Sequence, residues 1–285
     1  MTRAGNQPDG AERITIREPR LGRMPLDLRE VWRYSDLLGL MVWRNTVVRY
    51  KQSVLGIGWA LIRPVVSMIV FSIIFGRIAK LPSDGTPYPI FTYVALLPWT
   101  YFTGALSSTS SSLVGNMGLL QKVYFPRLIL PLSSICMGLV DFAVSFLVLI
   151  GLMIYYHDAV HLTWGVALLP FFLLLAMMVA LAFGLWLSAL MVKFRDIQYM
   201  VPFLTQIWMY LSPVAYTATL IPPKWQVLYA LNPMTGVING FRWALLGKTD
   251  PDWMSLGISV AVTLVILVSG LYFFRMTERT MVDVI

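Results

Sequence analysis

The chain has 285 residues, 58% of them hydrophobic and only 13% charged, which is more apolar surface than one soluble core can bury. That excludes an ordinary soluble enzyme and makes a bilayer the solvent for the excess. The net charge of +8 raises nucleic acid as a partner, so the placement of the charges decides the matter.

Apolar runs of crossing length recur from Trp59 onward, at about 62–78, 93–114, 128–155, 164–192, 199–215 and 254–274. Six crossings with both termini in the cytoplasm put seventeen Lys and Arg inside and five outside (Arg77, Lys80, Lys224, Arg242 and Lys248). The positive-inside bias therefore absorbs the basic balance without nucleic acid.

In chain order, residues 1–25 are rich in Arg, Gly and Pro and lack the apolar core of a signal peptide, which predicts a disordered cytoplasmic tail. Residues 26–58 form the next region. In it Trp32, Leu37, Leu40, Met41, Val47 and Val48 recur at helical spacing while Arg29, Arg33, Arg44, Arg49 and Lys51 take other faces. This predicts an amphipathic helix on the cytoplasmic membrane surface or against a soluble partner. Residues 59–285 then make up the membrane domain.

The 80–90 loop, with Pro82, Gly85, Pro87 and Pro89, reads as a defined external link. The second span carries an unbroken hydroxyl run from Ser107 to Ser112, suited to close helix packing or to a polar lining. Spans three and four, joined by the short 156–163 turn, are expected to be antiparallel neighbours. Span five is interrupted by Pro202 and Pro213. After it, Asn232-Pro233 is a helix start and Gly247 a stop. The enclosed helix is too short to cross and is predicted to be re-entrant. The fold class is thus an all-α integral membrane protein with six transmembrane helices, an N-terminal interface helix and short re-entrant helices between spans five and six.

Chemistry-bearing motifs are few. No G-x-x-x-x-G-K-[ST] and no G-x-G-x-x-G occurs, so nucleotide chemistry must come from another chain. His157 and His161 lie four apart beside Asp158 without a third ligand, and interfacial histidines are the better reading than a metal site. The single cysteine, Cys136, falls within a span and offers no disulfide. Asp141, a carboxylate inside an apolar run, is either an ion-coupling site or a group held by a neighbouring helix.

Four stretches carry a family likeness. They are N-M-G-L-L-Q-K-V-Y-F-P-R-L-I-L-P at 116–131, R-Y-K-Q-S-V-L-G at 49–56 leading to Trp59 and Pro64, P-S-D-G before Pro87-Tyr88-Pro89, and L-N-P-M at 231–234 with Gly240-Phe241-Arg242. In this order around six spans they resemble the ABC-2 permeases, and more closely those exporting O-antigen and related polysaccharides. The likeness covers roughly residues 30–275. It implies a homodimer in the bacterial inner membrane that docks two copies of a separate ABC ATPase subunit. That partner binds the ATP and magnesium, and this chain carries no cofactor and no catalytic residue.

By the same likeness Asn116, Gln121, Lys122, Tyr124, Phe125, Pro126 and Arg127 belong to the ATPase-coupling segment. Trp32, Arg44, Arg49, Tyr50 and Lys51 belong to the interface helix, and the 216–253 stretch forms external gate helices. The cargo implied is a lipid-linked polysaccharide, whose conduit needs aromatic faces beside polar groups, and Phe71, Phe75, Tyr101, Phe102, Trp208 and Tyr210 are candidates to line it. Asn45 departs from the pattern, standing where an acidic residue is expected. An ion-coupled transporter using Asp141, or a membrane-embedded transferase, are the rival classes.

Overall fold

A computed structural model describes residues 32–51, 56, 58–248 and 252–284, with side chains described through residue 278. The expected tail, residues 1–25, lies outside the described residues, as do 26–31, 52–55 and 57 of the interface region. No strand occurs among the described residues.

Helix α1 (Ser35–Lys51) precedes α2 (Gly58–Phe71), which continues as a π-helix over Ser72–Ile78. Pro64 inside α2 removes one ladder bond. Further on, Ala79 N–H reaches the Ile74 carbonyl at 2.8 Å, the wider i→i+5 closure. A turn with left-handed Lys80, Asp84 and Gly85 then reverses the chain.

Helix α3 (Tyr88–Ser110) is the centre of the fold. Its 23 residues span about 35 Å. Sixteen of them are buried, among them Thr92, Thr109 and Ser110. Short helices α4 (Ser112–Gly115) and α5 (Met117–Leu120) lead through a loop to α6 (Ile129–Tyr155). Helix α7 (Leu169–Lys193) follows a 3-10 turn, Trp164–Leu168, that Thr163 caps by accepting from Gly165 N–H at 3.2 Å.

By length and composition four helices can cross a membrane: Gly58–Ile78, Ile129–Tyr155, Trp164–Lys193 and Trp253–Glu278. Their outward faces remain apolar, as at Leu147, Ile154, Val265 and Val268. The two other expected crossings are built differently. Helix α3 is long enough, but most of it, including Thr109 and Ser110, is hidden inside the protein, while Ser107 stays exposed. The fifth segment is helical only over α8 (Ile197–Tyr210), 14 residues or about 21 Å, short of the hydrocarbon thickness of about 30 Å. Pro213 disfavours helical dihedrals in the residue before it and so limits extension.

The expected pairing of the third and fourth crossings is corrected. Helix α6 packs chiefly on α3, α7 packs on both α3 and the last helix (Trp253–Val284), and the two make few contacts with each other. Small residues make this possible. Gly184 of α7 lies so close to Thr109 that an added Cβ would sit 2.5 Å from its Cγ2, and Gly138 of α6 faces the Tyr101 ring.

Helices α9 (Pro223–Ala230) and α10 (Pro233–Leu246) lead to the last helix, α11 (Trp253–Val284). The signals read for α10 hold. Asn232 Oδ1 accepts from Met234 N–H at 3.1 Å, Pro233 opens the helix, and Gly247 closes it at φ 61°. All of α10 except Asn239 is buried, packed on α3, α7 and α11, so its backbone sits in protein.

Two apolar clusters hold the chain together. The larger surrounds α3, and the smaller joins Met41, Leu113, Phe125, Leu185 and Phe274 at one end. That end also carries Lys122, Arg127, Lys193 and Arg275 and is called the basic end below.

Candidate coupling and translocation site

At the basic end α1 packs against α6, but not as a one-sided surface helix. Met41 is buried, and Leu37 and Leu38 pack inward. Trp32, Leu40, Trp43 and Val48 point away and stay exposed, so apolar groups occupy both faces.

The C-terminal turn of α1 explains Asp141. Arg49 Nη1 lies 2.9 Å from Asp141 Oδ2, and the Tyr50 hydroxyl donates to Asp141 Oδ1. Burial first, and then this carboxylate, raise the Tyr50 phenol above its ordinary range, so it remains the proton donor. Asp141 is therefore a carboxylate held by a neighbouring helix, its charge already matched.

Beside it lies a cavity of about 220 Å³ whose walls include Arg49, Arg63, Trp59, Tyr101, Ser108 and Asp141. Arg63 lies over the Trp59 ring at 5.8 Å. Two guanidiniums against one carboxylate leave this space electropositive, with aromatic faces and hydroxyls around it.

The predicted coupling residues divide into an outer and an inner group. Gln121, Lys122 and Tyr124 are exposed, Tyr124 at 87%. Phe125 and Pro126 are buried, and Arg127 Nη1 donates to the Glu278 carbonyl at 2.9 Å with its Nε 4.0 Å from Oε1 of the same residue. These three anchor the loop to the body. Asn116 accepts from Arg44 Nη2 at 2.8 Å, and Arg44 also donates to Asn45 Oδ1 at 3.1 Å. The amide at 45 thus still accepts from the neighbouring arginine. Arg44–Asn116 and Arg127–Glu278 join segments far apart in sequence, so no local pattern announces them.

The predicted path residues lie in different parts of the chain. Tyr101 faces the cavity beside Asp141 and donates to the Ile135 carbonyl at 3.2 Å. Phe102 is fully buried, 5.0 Å from Trp208, whose Nε1 donates to Asn232 Oδ1 at 2.8 Å. Phe71 and Phe75 stack edge to face at 5.3 Å in the first span, and Tyr210 is exposed. Among the described residues no three metal-binding side chains come together, and His157 meets only Asp158, at 3.2 Å.

Residues 36–246 match the profile of the family described as ABC-2 type transporter. The chain belongs to that family. This ABC-2 permease is 31% identical over 244 residues to the O-antigen export system permease protein RfbA of Myxococcus xanthus, covering 84% of this chain and 92% of that one. It is 30% identical over 219 residues to the inner membrane transport permease YadH of Escherichia coli K12, covering 73% and 83%. It is 25% identical over 241 residues to the polysialic acid transport protein KpsM of Escherichia coli, covering 84% and 92%. It is thus a membrane transport component related to O-antigen export permeases.

Proposed function

We propose that the chain is the permease subunit of an ABC exporter that moves a lipid-linked polysaccharide, O-antigen foremost, out across the bacterial inner membrane. A separate subunit binds and hydrolyses ATP with magnesium. Two permease chains pair, two ATPase subunits dock at their basic ends, each permease crosses six times, and both termini face the cytoplasm. Capsule or teichoic acid is the alternative cargo.

The observation that carries this reading is the electropositive, aromatic-lined cavity beside Asp141 in a chain so similar to an O-antigen permease. A lipid-linked glycan presents a phosphate followed by sugar rings, and such a cavity offers guanidinium for the first and ring faces for the second.

The contacts also supply a lever. Closure of the ATPase would push the exposed 121–124 tip. Arg44–Asn116 passes the movement to α1, Arg49–Asp141 to α6, and Arg127–Glu278 to α11. A two-state bundle biased in this way alternates between closed and open paths.

The test is to express the chain with the ATPase encoded beside it in a strain lacking its own exporter and to measure polymer at the cell surface. Polymer should appear only when both subunits are present. Export that survives loss of either one overturns the proposal.

A further inference from the structure

At the end opposite the basic residues lies a second cavity, of about 270 Å³, bounded by the 80–87 turn, α9, α10 and the start of α11. At its base is Arg242, only 6% exposed and 3.7 Å over the Phe91 ring. Its terminal nitrogens donate to the Val214 and Tyr216 carbonyls at 2.9 and 3.0 Å, while its buried Nε has no partner among the described residues. Burying an unmatched donor is costly, and the guanidinium gives the base of the cavity a polar, positive character that favours a polar group arriving from outside.

The rest of the lining narrows what that group is. Asp84 and Asp252 outweigh the one arginine, which disfavours phosphates and other anions. Among the described residues no third ligand joins them to hold a metal ion. The Asn239 amide faces the cavity without a hydrogen bond to any described residue, and Tyr229 and Phe172 add ring surface. A carboxylate and two side-chain amides, Asn239 and Gln226, around ring faces suit adjacent hydroxyls on a pyranose with an apolar side. The volume is below the roughly 300 Å³ at which sites for drug-sized molecules begin, so it fits one sugar unit.

We propose that this outer pocket binds a single neutral sugar residue of the exported polymer, with Asn239, Gln226 and Asp84 bonding its hydroxyls over the buried Arg242. The inference rests on the polysaccharide reading above and adds a subsite at the external end of the path. There a unit leaving the membrane is held while the next advances.

The experiment is saturation-transfer NMR on the full chain in nanodiscs, with the methyl glycosides of glucose, galactose, mannose and rhamnose as probes. At least one should bind weakly, and Asn239→Ala and Asp84→Asn should each weaken it about tenfold with thermal unfolding unchanged. If Asp84→Asn does not fold, Gln226→Ala on the exposed side of α9 replaces it. No binding by any glycoside, binding untouched by the folded variants, or calcium binding in place of sugar overturns the pocket. Surface polymer in cells separates the two readings. Polymer that depends on the chain, together with no glycoside binding, removes the pocket alone. Polymer that persists without the chain removes both.

Discussion

Arg49 and Asp141 form an ion pair at 2.9 Å that ties the last turn of the N-terminal helix to the middle of the third apolar segment, and the Tyr50 hydroxyl binds the other carboxylate oxygen. Both side chains are about one-third exposed, so the pair contributes at most about 1 kcal/mol to stability. Asp141→Asn should therefore yield a folded protein with reduced but measurable transport. An ion carrier would lose transport outright. Surface polymer from the variant, normalised to its level in the membrane, decides between them.

The same contact has a pH dependence. The Tyr50 phenol titrates above 10.0 when folded and at about that value when unfolded, so the folded state keeps the proton longer. Its contribution is complete below pH 10 and fades as pH rises through the folded value. Amide exchange of α1 should accelerate at high pH, and Tyr50→Phe should remove the phenol's share of that dependence.

Arg44 and Asn116 link α1 to the coupling segment through one exposed hydrogen bond of 2.8 Å. Arg44→Ala, Asn116→Ala and the double variant should show a coupling energy of about 1 kcal/mol in thermal unfolding. Additive losses would mean that the two residues act separately.

Tyr124 and Phe125 are adjacent but opposite in exposure, 87% and 4%. Tyr124→Ala should leave stability within about 0.5 kcal/mol of wild type and impair export. Phe125→Ala should cost about 3–5 kcal/mol and lower the folded yield. Size-exclusion profiles and surface polymer, measured on the same strains, separate the two effects.

Glycine replacements should have opposite signs at different places. Gly184→Ala drives a methyl into Thr109, costing about 1–3 kcal/mol, and Thr109→Ser in that background should restore part of it. Gly247→Ala meets both φ 61° and the His161 carbonyl at 2.5 Å, and should be destabilising. Gly39→Ala, on α1 with open space around it, should stabilise by about 0.5–1 kcal/mol. Thermal unfolding in one detergent ranks all three.

What the sequence alone determined is what depends on neighbours along the chain. Apolar runs fix where helices form, because a backbone in lipid must satisfy its own hydrogen bonds. Asn232-Pro233 and Gly247 mark α10 because capping needs only adjacent residues. The absence of a phosphate-binding loop is equally local.

The tertiary structure decided what depends on who meets whom. Helix α3 is largely enclosed by protein, and it separates α6 from α7, which the short turn between them had suggested were partners. Phe102 and Trp208 face each other as core residues, since composition cannot tell a packed aromatic ring from one lining a path. Asp141 appeared as an isolated intramembrane acid. Only the fold brings Arg49 and Tyr50 across from another helix to match its charge, and that pairing makes it a structural link between α1 and α6.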